Sequence, residues 1–236
     1  MKTLRSSVSA DSRRGADSSG QDEPVDGVSL AMRDEMFVLH QGVDASLRDV
    51  RRRVIQFTAA RRREGTSTIV RAYARALAND VQRSVLIVDG NEIHPDQHQH
   101  FGIDAQVGWD DMIVRGEPMK RGVYITSHPN LSIVPFSRRS SSITRPFDLA
   151  TVEQGFALLR SRFDVVLVDS GPVFQPGAVG TSRMSDGIVL VVEAERTRWP
   201  IALRAREALE RGGGRVLGIV LNKRRYHIPD AVYRWL

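Results

Sequence analysis

The chain has no cysteine, and that absence excludes disulfides and thiolate metal sites. It also has no apolar run approaching the ~18 residues that a bilayer span needs. The N-terminus, Met1-Lys2-Thr3-Leu4-Arg5-Ser6, lacks the apolar core of a signal peptide. These absences lead us to expect a cytoplasmic protein. What is present is a mild basic excess: 34 Lys and Arg against 28 acids, a net charge of +6, with Arg carrying most of it. Such a balance favours anionic partners without choosing between nucleotide, acidic lipid and nucleic acid. Apolar residues make up 41% of 236, enough for one large α/β core once the polar N-terminus is set aside.

Residues 1–30 are rich in Ser, Asp, Arg and Gly and poor in large apolar side chains. Their composition does not offset its ordering entropy, so a disordered arm is expected there, with a single domain over 31–236. The stretch Met32–His40 reads as helical. Beyond it, continuous apolar runs occur at Val54–Thr58, Val85–Val88, Leu131–Pro135, Val165–Val168, Ile188–Val192 and Val216–Leu221. Runs that do not alternate suit strands buried on both faces of a parallel sheet. Between them Ile69, Tyr73, Ala76 and Leu77 recur at helical spacing. So do Leu149, Val152, Phe156 and Leu159, and Ile201, Ala205, Ala208 and Leu209, the last group behind Pro200 and closed by Gly212-Gly213-Gly214. Alternating strands and helices predict a doubly wound, mostly parallel α/β sheet with helices on both faces. Its ligand site is expected where loops 59–67, 89–95 and 170–177 leave the carboxyl ends of the strands.

The first of those loops carries the sharpest motif. Ala60-Arg61-Arg62-Arg63-Glu64-Gly65-Thr66-Ser67-Thr68 lies between a strand and a helix, in the pattern of a nucleotide-phosphate loop: Gly or Ala, four residues, Gly-Lys, then Ser or Thr. Only the lysine is missing, and Thr66 stands in its place. Backbone N–H groups at a helix N-terminus still bind anions, and Ser67 still suits magnesium. The lysine's fixed charge on the transferring phosphate is gone. Asp89 closes the second run and Asp169 the fourth, as acids at strand ends suited to magnesium or an attacking water. Taken singly, each reads equally well as a strand terminus or a helix cap.

From Val54 to Asn222 these segments resemble the cytoplasmic ATPase module of the bacterial tyrosine kinases (BY-kinases) of capsule and exopolysaccharide export, a P-loop NTPase family of the deviant-Walker type. The likeness rests on the loop, on Asp89-Gly90-Asn91-Glu92-Ile93-His94-Pro95, and on His98-Gln99-His100-Phe101-Gly102. It extends to Gly108-Trp109-Asp110-Asp111, to Phe163-Asp164 through Asp169-Ser170-Gly171-Pro172, and to Gly218-Ile219-Val220-Leu221-Asn222. It implies nucleotide binding by Ala60, Arg61, Glu64, Gly65, Thr66, Ser67, Thr68 and Asn222, the last against adenine. It implies catalytic roles for Asp89 and Asp169, and magnesium held by Ser67, Asp89 and Asp169. The expected partners are ATP with Mg2+, bound weakly or not at all, a membrane-embedded polysaccharide co-polymerase, the anionic inner membrane and a second copy of the chain. Nucleic acid is not expected.

Departures from the family pattern bear on activity. Besides Thr66, Arg62-Arg63 replaces the loop's Pro-Gly, Asn91 replaces an acid, and the tail holds only Tyr226 and Tyr233. A degenerate module, or pseudokinase, is therefore the leading expectation. A working tyrosine autokinase with Arg61–Arg63 replacing the lysine is the alternative, and a positioning ATPase of the DNA- or septum-placing kind is a second. Arg51–Arg53 marks a strand entrance and is expected, with Arg61–Arg63, to face anionic lipid at the loop. His94, His98 and His100 read as a surface helix start rather than a metal cluster. Trp199, Tyr233 and Trp235 read as core or interface anchors.

Overall fold

The computed structural model describes residues 7–8, 30–115, 117, 119–137, 149–175 and 177–224. The tail tyrosines, Trp235 and nearly all of the expected arm lie outside them. Strands are β1 (Ser7–Val8), β2 (Arg53–Ala59), β3 (Val85–Gly90), β4 (Tyr124–Ile125), β5 (Leu131–Val134), β6 (Val165–Ser170), β7 (Gly187–Glu193) and β8 (Val216–Asn222). They form one sheet in the order β1-β8-β7-β2-β6-β3-β5-β4, parallel except where β4 folds back on β5. All six apolar runs are strands. Two short strands escaped the sequence reading: β4, and β1 within the expected arm, which pairs with Leu221 and Asn222.

The sheet sorts its side chains two ways. Ile55, Phe57, Ile87, Leu167 and Val191 point to a layer made by α1 (Leu30–Ser46) and α2 (Thr66–Asn79). Val54, Leu86, Val88, Val166 and Val168 meet α4 (Trp109–Arg115) and α5 (Leu149–Arg162) on the opposite face. There Ile188 and Leu190 pack on α7 (Trp199–Arg211). Alternation by one residue sends neighbours to opposite layers, so each central strand must be apolar throughout. Burying a Val, Leu, Ile or Phe in such a layer contributes about 1.5–3 kcal/mol per side chain. Tyr73 of α2 packs at 5.6 Å on Phe57 with the rings tilted by 50°, and its hydroxyl meets His40 of α1, which joins the two helices over the middle of β2.

Among the tryptophans, Trp109 is buried and donates its indole N–H to the Asp89 carbonyl at 2.6 Å. Trp199 is 58% exposed at the start of α7, so the core reading of that residue is corrected. No helix among the described residues is long and apolar enough to cross a membrane.

Candidate functional site

The parallel sheet delivers the loops after β2, β3 and β6 to one edge, where they enclose a cavity of about 470 Å3. A cavity of that size suits a small ligand of nucleotide dimensions. Its wall includes Arg61, Gly65, Thr66, Ser67 and Thr68 from the phosphate loop, Asn91 and His94 beyond β3, and Ser170 at the end of β6 with Gly171 after it. Gly65 caps α2 with φ of 90°, a left-handed conformation that glycine adopts without strain. The first-turn N–H groups of α2 have no acceptor within the helix and face this loop.

The loop is held from behind. Glu64, 2% exposed, accepts the Arg61 N–H at 2.8 Å and the Glu193 N–H at 3.2 Å, and pairs with the Thr197 hydroxyl. Asn222 is buried and donates its Nδ2 to the Glu64 carbonyl at 2.7 Å. Lys223 donates its Nζ to the Arg63 carbonyl at 2.6 Å. On the far side, Thr58 donates its hydroxyl to the Gly171 carbonyl at 2.7 Å and so ties the β2 and β6 loops together. Ala60 is 2% exposed within the apolar layer under α7. Of the residues implied for nucleotide, Ala60, Glu64 and Asn222 thus spend their side chains shaping the loop. Thr66, Ser67 and Thr68 line the cavity. Thr66 is 8% exposed and brings no charge to the position of the lysine.

Asp89 and Asp169 sit opposite one another on β3 and β6, both fully withdrawn from solvent. Gln97, at the start of the short α3 (Gln97–His100), clamps the pair. Its backbone N–H reaches Asp89 at 3.1 Å and its Nε2 reaches Asp169 at 2.6 Å. Burial, then repulsion from Asp169, raises the Asp89 carboxyl well above the usual range. Burial likewise pushes Asp169 up to about 6, against hydrogen bonding from Ser67 and Gln97. The Oδ1 of Asp169 is buried without a hydrogen-bond partner, and so is the Oε1 of Gln97. Orphaned oxygens beside the Ser67 hydroxyl and a second carboxylate fit a hard divalent cation, which would be held by Ser67, Asp89 and Asp169. Bound there, magnesium would neutralise charge on phosphate oxygens.

Gln97 was missed because a lone polar residue at the start of a short helix has no pattern to mark it. Only the fold shows that its two N–H groups reach neighbouring strands. His98 and His100 lie on α3, while His94 contacts Arg62 across the cavity mouth. No group of three His, Asp or Glu gathers for a metal among the described residues. Arg51–Arg53 is placed elsewhere than expected. It enters β2 at its amino end, whereas Arg61–Arg63 leaves the carboxyl end, so seven residues, about 20 Å of strand, separate them. They form no common face.

A doubly wound sheet, a phosphate loop and paired strand-end carboxylates define a P-loop NTPase. Residues 53–212 match the family model described as "Cellulose biosynthesis protein BcsQ", and the chain belongs to that family. It is 28% identical over 142 residues to the "Putative tyrosine-protein kinase CapB" of Staphylococcus aureus, a match covering 58% of this chain and 61% of that relative, under two thirds of its length. It is 25% identical over 173 residues to the tyrosine-protein kinase CpsD of Streptococcus agalactiae, covering 72% of this chain and 75% of the relative. Among solved structures it superposes on the kinase domain of the Escherichia coli tyrosine kinase ETK with a TM-score of 0.78. Identity there is 13%, with 97% and 93% of the two chains covered. On MinD of Pyrococcus horikoshii complexed with Mg-ADP the TM-score is 0.64 at 22% identity, covering 77% and 76%. At those identities the superpositions show the fold.

Proposed function

We propose that this protein is a degenerate nucleotide-binding module that regulates exopolysaccharide synthesis or export by docking on a membrane-embedded co-polymerase. The carrying observation is the contrast inside one cavity. The loop and Ser67 line it, with Asp89 and Asp169 buried at the adjoining ends of β3 and β6, while Thr66 leaves the phosphate position without its lysine. The family model supports the polysaccharide setting and names cellulose as a polymer to test first. Losing one charge-assisted contact to phosphate weakens affinity by about ten- to a hundredfold. Removing charge stabilisation from a transition state costs on the order of 10²–10³ in rate. The module therefore binds ATP with Mg2+ in the high-micromolar range or weaker and transfers phosphate poorly. It works at the cytoplasmic side of the inner membrane.

The test is a deletion strain complemented with wild type or with an Asp89→Ala variant. Exopolysaccharide of altered amount or length on deletion, restored by both forms, is the expected outcome. Polymer unchanged on deletion would end the proposal.

One observation favours a second reading, an active tyrosine autokinase: both carboxylates remain beside an orphaned acceptor, as a working cation site needs. Phosphate on Tyr226 or Tyr233 after incubation with ATP, abolished by Asp89→Ala, would establish it. The positioning-ATPase reading has only the MinD-like fold behind it.

A further inference from the structure

The sequence offers Arg61–Arg63 as substitutes for the missing lysine, but the structure puts a different arginine against the phosphate loop. Arg71 lies one turn beyond Ser67 on α2, so the two share a face of the helix. Its side chain is 14% exposed and lines the same cavity as Thr66 and Ser67. The three loop arginines are all exposed at the cavity rim, where ordering them on a phosphate costs rotamer freedom. Arg71 has already lost much of that freedom and much of its hydration. Its charge also favours the ionised form of Asp169, though less than burial opposes it. One end of it is held by Asp96, from Nη1 to Oδ1 at 3.2 Å, and Asp96 itself is half exposed on the loop before α3.

We propose that Arg71 is the phosphate-binding cation of this site, taking the charge role that Thr66 cannot, with Asp96 as the latch that holds it until an anion arrives. The proposal rests on reading the cavity as a nucleotide site and deepens that reading. A guanidinium presents planar paired N–H groups that match phosphate oxygens, and Asp96, a partly solvated single partner, is the weaker competitor. Access from the side of α2, rather than from the loop, puts Arg71 on the Ser67 side of the cavity.

The experiment is a calorimetric titration of the full chain with ATP and Mg2+, with thermal melts as a folding control. Arg71→Gln should weaken binding at least about tenfold, the scale of one charge-assisted phosphate contact. Converting Arg61, Arg62 and Arg63 together to Gln should change it less than Arg71→Gln alone. Asp96→Asn should tighten it, because a competing carboxylate is removed. Adding Thr66→Lys to Arg71→Gln should restore binding, which separates a lost cation from a damaged fold. Unchanged affinity in Arg71→Gln, a larger loss in the triple variant, or no binding by the wild type would each overturn the proposal. These titrations are blind to polysaccharide, so failure of that reading would show only in the deletion strain.

Discussion

At the scale of single residues the site is a contest between burial and charge. Asp89 and Asp169 lie side by side and buried, held by N–H donors of Gln97 and, on Asp89, of Asn91. The sign of the consequence follows from Asp169. Its folded-state carboxyl titrates near 6, above its ordinary value of 3.8, so the folded chain binds a proton more readily than the unfolded one. Stability contributed by that proton is fully present below the ordinary value and is lost as pH rises through 6. Asp169→Asn removes the buried charge while keeping the shape and the Gln97 contact. In metal-free buffer its melting temperature should exceed that of the wild type at pH 7.5, and the gap should close as pH falls toward 4. A gap independent of pH would mean that Asp169 is not the group that titrates. Excess Mg2+ at pH 7.5 should stabilise the wild type and not the variant.

At the scale of elements, β2, its loop and α2 act as one unit gripped by β7 and β8. A Cβ on Gly65 would run into the Asn222 amide, and the left-handed backbone there penalises any side chain as well. Gly65→Ala should therefore destabilise by about 2–4 kcal/mol through strain and collision together. Asn222→Ala should cost about 1–3 kcal/mol by leaving the Glu64 carbonyl without its buried donor. The double variant should be less destabilised than the sum, because removing the amide opens the space that the new methyl needs. Additive losses in urea unfolding would show that the collision is relieved some other way.

The same elements show what a sequence can display. Val85–Val88 and Ile188–Val192 announce themselves because a strand buried on both faces needs an apolar side chain at every position. Tyr124–Ile125 does not, since two residues paired antiparallel at the sheet margin, with Ile125 83% exposed, leave no run to see. α1 continues to Ser46, past the expected His40, because Val43 and Leu47 extend the buried face through a polar stretch. In the site, Gly65, Thr66 and Ser67 were legible from motif spacing alone. The inward turn of Glu64 and the placement of Gln97 and Arg71 depend on contacts between residues far apart in sequence, or on which side of a helix a cavity opens.

At the scale of the whole molecule, sheet order decides which charges act together. Strands β7, β2 and β6 are neighbours, so the loops leaving their carboxyl ends stand in a row. Arg61–Arg63 in the middle loop is flanked by exposed Arg196, Arg198 and Trp199 on one side and by exposed Phe174 on the other. A hollow of about 520 Å3 among Arg61–Arg63, Glu193 and Arg196 shares the phosphate loop with the cavity beside Ser67. Basic residues interleaved with exposed aromatics suit an anionic bilayer surface, where each cation contributes about 1 kcal/mol. Converting Arg61, Arg62 and Arg63 to Gln should thus weaken sedimentation with phosphatidylglycerol vesicles on the order of a hundredfold. Arg51 and Arg52 lie at the other end of β2, about 20 Å away and beyond the ~8 Å screening length at physiological salt. Their conversion to Gln should leave vesicle binding nearly unchanged. Equal losses from the two sets would mean that net charge, rather than this edge of the sheet, draws the protein to the membrane.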